Sequence, residues 1–184
     1  MFYEIELKSH IRVPPNLFDL NTEEAVLKQL NEQFEGYISK DIGIVIAVSG
    51  IVNVSEGIII PGDGAAYYNT IFKLFTYKPE VQEIMLGKIS DVTDFGAFID
   101  IGSIDGMVHI SQTMDDFVSY NKSNVLTGKE SKKVLKSGDD CRARIIAVSF
   151  KNVKDPKIGL TMRQPGLGNL NWIDEDIKKE KGKK

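Results

Sequence analysis

The sequence predicts two domains of different class, an α+β unit over residues 1–80 and an all-β barrel over residues 81–184. Three observations carry that reading. In the first 80 residues the apolar pattern runs strand, helix, strand, strand, the order of a small sandwich in which one helix covers a sheet. From Gly87 to Ser111, three short alternating segments (Lys88–Val92, Phe95–Ile99 and Met107–Ile110) are punctuated by Gly or Asp-Gly, a meander whose natural closure is a barrel. Charge divides at the same place: residues 1–80 carry 6 Lys/Arg against 11 Asp/Glu, and residues 81–184 carry 17 against 15. What attraction for phosphate the chain possesses therefore lies in its C-terminal half, and it is mild and salt-sensitive.

Composition removes several function classes. Hydrophobic content of 42% and charged content of 27% are ordinary for a globular protein, and a net charge of −3 argues against coating nucleic acid by bulk electrostatics. No apolar run approaches the roughly 20 residues of a membrane span and no basic-then-apolar leader is present, so a cytoplasmic location is expected. The single cysteine, Cys141, excludes an internal disulfide and a cysteine-cluster zinc site; it reads as a small buried strand residue. With His10 and His109 far apart, no metal-ligand constellation is supported, and no cofactor is expected. No nucleophile with a supporting base stands out, which points away from catalysis by this chain.

Each element has its own signal. Phe2–Val13 alternates as a strand and Pro14-Pro15 stops it. Asn21-Thr22-Glu23-Glu24 presents a capping box, after which Val26, Leu27, Leu30 and Phe34 recur at helical spacing until Gly36. Asp41–Asn53 is a β-branched run expected to be a buried strand, continuing into Ile58-Ile59-Ile60, and Asn69–Tyr77 is the next strand. Between them, Gly62-Asp63-Gly64 makes a tight turn easy, while Tyr67 and Tyr68 are large for a bare loop. The residues alone favour an ordinary hairpin tip, and the glycine spacing does not suit a phosphate cradle.

In the second half, Gly96 interrupts a strong strand, which signals coiling or a close approach to its backbone. Phe95 and Phe98 differ by an odd number, so period-2 alternation cannot place them on one face unless the chain bends at Gly96. Thr113–Leu135, with Lys122, Lys129, Lys132 and Lys133, is expected to be a polar, solvated excursion or else a basic flank, and Asp115-Asp116 to be solvated rather than metal-bound. Cys141–Phe150 is the fourth barrel strand, with Arg142 and Arg144 on one face; Lys157–Thr161 is the fifth. Leu170, Ile173 and Ile177 then repeat at helical spacing, Trp172 is expected to staple against the barrel rather than serve as a base platform, and the last seven residues, KKEKGKK, to be disordered.

Gly87-Lys88-Ile89, Phe95-Gly96-Ala97-Phe98 and Asp105-Gly106-Met107-Val108-His109-Ile110-Ser111 together resemble the S1 domain, a five-stranded OB-fold that binds single-stranded RNA. The resemblance implies that Phe95, Phe98 and His109 line the face where bases stack, each aromatic holding an unpaired base at roughly 1–3 kcal/mol. It also implies RNA contacts from the Arg142, Arg144 and Lys157 side. Lys157 stands where the family often has Arg, and the family's preceding Asp is missing, Asp155 being only displaced; a point charge in place of a planar fork keeps phosphate attraction and weakens stacking.

Further motifs widen the resemblance to the whole chain. Val13-Pro14-Pro15, Lys40-Asp41-Ile42-Gly43, Glu56-Gly57, Gly62-Asp63-Gly64-Ala65-Ala66-Tyr67, Met114-Asp115-Asp116 and Leu160-Thr161-Met162-Arg163-Gln164-Pro165 resemble the E-prime stalk family of archaeal RNA polymerase, counterpart of the seventh subunit of eukaryotic RNA polymerase II. The resemblance implies a ribonucleoprotein-like N-terminal domain whose tip, Gly62, Asp63, Gly64, Tyr67 and Tyr68, docks on polymerase core subunits, with the tyrosines as anchors. It implies a small helical stalk partner of the F type, capture of nascent single-stranded RNA, and support of the closed clamp. The alternative is a free S1-type module of translation initiation or of an RNA-degrading exosome.

Overall fold

The computed structural model describes residues 1–121, 124–152 and 156–181, with side chains to residue 179. The expectations placed on Lys122, Asp155 and the end of the basic tail lie outside those residues. Met1–Lys78 and Pro79–Lys184 form two compact units.

The first unit is a four-stranded antiparallel sheet in the order β1-β4-β3-β2, with β1 Phe2–Val13, β2 Ile38–Ser39, β3 Gly43–Ile59 and β4 Ala66–Tyr77. Helix α1, Thr22–Phe34, packs on one face. Its Ala25, Val26 and Leu30 join Ile11, Val13, Leu17, Val45, Phe72 and Leu74 in a dry core. Leu27, expected on the same stripe, is 37% exposed, because that stripe is carried by Ala25, Val26 and Leu30 instead. Asn21 caps α1 with no side-chain hydrogen bond, so the expected capping box does not form; Glu23 and Glu24 instead favour the helix N-terminus through its dipole.

The long strand departs most from expectation. Of β3 only Gly43, Ile44 and Val45 are buried. At 1.5 Å per residue α1 is about 20 Å long, whereas 17 extended residues run about 55 Å, so one helix cannot cover the strand. Four register shifts against β4 also reset the alternation of faces, and Ile58 and Ile59 end 67% exposed. Tyr67 and Tyr68, expected in a loop, belong to β4, which begins at Ala66.

The second unit closes a barrel from β5 Ile84–Val92, β6 Gly96–Asp100, β7 Asp105–His109, β11 Asp140–Ser149 and β12 Lys157–Thr161. β5, β6 and β7 form the antiparallel meander; β12 pairs with β7 in parallel and with β11 antiparallel, and β11 returns to β5. Ile89, Ala97, Ile99, Val108, Ala143, Ile145, Ile158 and Leu160 fill it, and Cys141 lies buried among them. The segment expected as a polar excursion is instead a small sheet in the order β10-β9-β8, built from β8 Val118–Asn121, β9 Val125–Gly128 and β10 Val134–Lys136. Leu126 and Leu135 are fully buried there, and two leucines spaced within a lysine-rich run gave too short an apolar signal to announce a core. The two-residue β13, Gly168–Asn169, pairs with β11 and leads into α2, Leu170–Lys181, so residues 178–181 are helical rather than disordered. Trp172 lies against Gly168, where an added Cβ would be 3.1 Å from the indole, in keeping with the staple. Among the described residues no helix is long and apolar enough to cross a membrane.

Candidate nucleic-acid interface

The outer face of the meander is organised by Gly96. A Cβ there would stand 2.1 Å from the Val108 carbonyl oxygen, so β6 and β7 approach at a distance only glycine permits. Gly96 lies opposite His109, and Ala97 and Ile99 point into the barrel, which turns Phe98 outward opposite Met107. Phe95 precedes the strand. The Thr93 N–H and hydroxyl both donate to the Gly96 carbonyl, and the Phe95 carbonyl accepts from the Ile110 N–H at 2.9 Å, so the chain turns before β6 begins. The turn resolves the parity problem: the Phe95 and Phe98 rings meet edge to face, centroids 6.0 Å apart and planes at 87°. Phe95 remains 47% exposed, an unusual state for a phenylalanine with a partner ring at hand.

His109 is exposed and caps the 3₁₀ turn Ile110–Gln112; its Nδ1 accepts from the Ser111 N–H and lies 2.8 Å from the Ser111 hydroxyl. Met107, not singled out by its sequence context, sits between Phe98 on one side and Gly159 on the other. The three aromatic residues are thus brought together. The three cations are not. Lys157 is two residues before Gly159 on β12, whereas His109 is two residues after Met107 on β7, a separation of about 13 Å along parallel strands at 3.3 Å per residue. Arg144 pairs with Thr161 at the His109 end of β12, and Arg142 spends one guanidinium nitrogen on the Gly166 carbonyl at 3.3 Å. Asp91 stands opposite Phe98, and Asp100 opposite Asp105, so carboxylates interleave with the aromatic face. The face is made for ring stacking more than for phosphate attraction.

The tip of the first unit is latched rather than loose. Arg12 faces Tyr67 across β1 and β4. Its Nε and Nη2 donate to the two Asp63 oxygens at 2.9 and 2.7 Å, and the Tyr67 hydroxyl donates to the same carboxylate at 2.6 Å. The guanidinium, then the tyrosine hydroxyl, hold the Asp63 carboxyl well below the usual carboxylate range, and Asp63 in turn raises Arg12 and Tyr67. Tyr68 packs over Gly57, where a Cβ would be 2.7 Å from its ring, and reaches the core. Gly62, at φ +94°, makes the turn, and Gly64 remains exposed. Both tyrosines therefore bind the hairpin to its own sheet, and the bare apolar surface beside the tip belongs to Ile58, Ile59 and Ile60.

A second feature of the barrel unit escaped the sequence. Asp116 accepts from the N–H groups of Phe117, Glu130 and Ser131 and from the Ser131 hydroxyl, which depresses its pKa and fixes the loop. Asp115 pairs with Arg163 at 2.8 Å. These carboxylates order the chain, a role adjacent acids in a polar run do not reveal.

This geometry, a sheet-and-helix domain followed in the chain by a closed barrel with clustered outward aromatics, defines a two-domain protein of the S1 class. The S1 RNA binding domain is matched over residues 78–151, and the SHS2 domain found in the N terminus of Rpb7p/Rpc25p/MJ0397 over residues 8–64. DNA-directed RNA polymerase subunit Rpo7 of Saccharolobus solfataricus is 42% identical over 180 residues, 97% of this chain and 100% of that one. DNA-directed RNA polymerase III subunit RPC8 of Saccharomyces cerevisiae is 33% identical over 62% of this chain and 54% of its own length. DNA-directed RNA polymerase II subunit RPB7 of Glycine max is 28% identical over 93% of this chain and 97% of its own length. The chain belongs to the Rpo7 family of DNA-directed RNA polymerase subunits.

Proposed function

We propose that this chain is a non-catalytic stalk subunit of DNA-directed RNA polymerase that captures single-stranded RNA on Phe95, Phe98 and His109. Family membership supports association with the polymerase core. The observation that carries the RNA site is the edge-to-face pair of an exposed Phe95 and a partly buried Phe98 beside an exposed histidine. Ring faces left open to water at that position hold unpaired bases without demanding a sequence. Arg142, Arg144 and Lys157 supply attraction to the strand from around the barrel. The first unit docks on core subunits through the hairpin of Gly62, Asp63, Gly64, Tyr67 and Tyr68, whose latch keeps it rigid. Beside the stalk role stand a heterodimer with a small helical partner of the F type, stabilisation of the closed clamp, and support of open-complex formation and processivity in the cytoplasm. Fluorescence anisotropy with a single-stranded RNA tests the site. Replacing Phe95, Phe98 and His109 with Ala lowers affinity at least about tenfold, at about 1–3 kcal/mol for each stacked base, while core subunits are still recovered with the chain. Unchanged RNA affinity refutes the assignment.

A further inference from the structure

Ser111 stands two residues beyond His109, in the 3₁₀ turn that His109 caps. Its backbone N–H points at His109 Nδ1 at 3.3 Å, and its hydroxyl lies 2.8 Å from the same nitrogen. A backbone N–H is always a donor, so a proton on Nδ1 would set two N–H groups against each other. The hydroxyl can turn to suit either state; the backbone cannot. A neutral imidazole carries one ring proton, which this arrangement assigns to Nε2, on the side of the ring away from Ser111. The free edge of an exposed His109, across the ladder from Gly96 and beside the Phe95–Phe98 pair, thus offers a donor and no acceptor.

We propose that Ser111 is a positioning residue that holds His109 in its Nε2–H form, so that the RNA face presents one fixed donor to an acceptor oxygen of the strand. The oxygen is a base carbonyl or belongs to the sugar-phosphate backbone; an exocyclic amine cannot take that place. The inference rests on the RNA-binding reading above for its ligand, and on the free chain's geometry for the tautomer.

The first measurement uses no RNA. In the full chain with ¹⁵N-labelled histidine at pH 8, long-range ¹H–¹⁵N spectra distinguish the two tautomers, and a His10→Gln variant separates the two histidines. His109 gives the Nε2–H pattern; an Nδ1–H pattern overturns the assignment. The second measurement is anisotropy with an oligouridylate and an abasic oligomer of the same length. His109→Ala weakens oligouridylate binding about 2–10-fold, the worth of one hydrogen bond. Ser111→Ala keeps the backbone N–H and with it the Nε2–H spectrum, but removes the hydroxyl that donates to the bare Nδ1 and holds the ring's orientation, so it loses part of that factor; Ser111→Thr regains it, and Ser111→Ala costs nothing further in a His109→Ala background. An equal Ser111→Ala loss in both backgrounds shows a merely structural role and overturns the proposal, as does a His109→Ala variant that binds both oligomers normally. A penalty that disappears on the abasic oligomer identifies a base carbonyl, and one that persists identifies the backbone; either supports the donor role. If Phe95→Ala and Phe98→Ala leave RNA affinity unchanged, the stacking reading fails while the tautomer spectrum still decides this one.

Discussion

Replacing Gly96 with Ala puts a methyl group where none fits. The added carbon would lie 2.1 Å from the Val108 carbonyl oxygen, 3.0 Å from its carbon and 3.1 Å from the His109 Cα, against ordinary contact at 3.4–4 Å. All three atoms are backbone, so no side chain can swing aside, and relief requires β6 and β7 to separate by about 1 Å where Gly96 pairs with His109. Overpacking that can relax costs about 1–3 kcal/mol, and this site stands at or above the upper end of that range. With a urea slope of about 1.5 kcal/mol per M for a unit of this size, 3 kcal/mol moves the unfolding midpoint by about 2 M. Trp172 is the only tryptophan and lies in the barrel unit, so its fluorescence reports that unit. Gly102→Ala is the control: φ is +94° but nothing lies within 4 Å, and the cost is about 1 kcal/mol, a shift of about 0.7 M. A Gly96→Ala midpoint within about 0.3 M of the parent would refute the close-approach argument.

Other outcomes follow from the same contacts. The Asp63 carboxyl, with its folded pKa depressed below 3.8, contributes to tip order above that value and loses the contribution only as pH falls through the depressed one. A ¹³C titration of Asp63 therefore shows the latch intact at pH 4, and a midpoint at or above 3.8 contradicts it. Burial pushes the Cys141 thiol up to about 12, so a thiol reagent at pH 8 labels the native chain only after unfolding; prompt labelling would place Cys141 at the surface. Leu126→Ala in the inserted sheet lowers stability by about 2–5 kcal/mol in urea titration, because the side chain is fully buried; a change under about 0.5 kcal/mol would make the insert the solvated excursion its composition suggests.

The strands with clean alternation were legible from sequence almost to the residue, as Phe2–Val13 and Lys157–Thr161 show. Legibility failed where a distant partner decides the outcome. Nothing within Gly62-Asp63-Gly64 announces Arg12, 51 residues earlier, as the group that claims Asp63. Bulges are equally silent: β3 reads as a uniformly buried β-branched run, yet four register shifts and a short helix leave most of it half exposed. For the aromatic face, the S1-like motif named Phe95, Phe98 and His109, while spacing alone kept the two phenylalanines off a common face unless the chain bends at Gly96. The turn through Thr93 and Gly96 that joins them depends on a cross-strand approach at Val108, and the Ser111 contact to His109 depends on the turn that follows.

If the aromatic face meets RNA within a polymerase, ultraviolet cross-linking reads that contact directly. The assembled enzyme is stalled with a labelled transcript, irradiated and digested, and the adducts on this chain are located by mass spectrometry. Adducts on the peptides carrying Phe95, Phe98 and His109 are predicted. Adducts confined to other surfaces of the chain, with none on those peptides, would contradict the RNA-capture role.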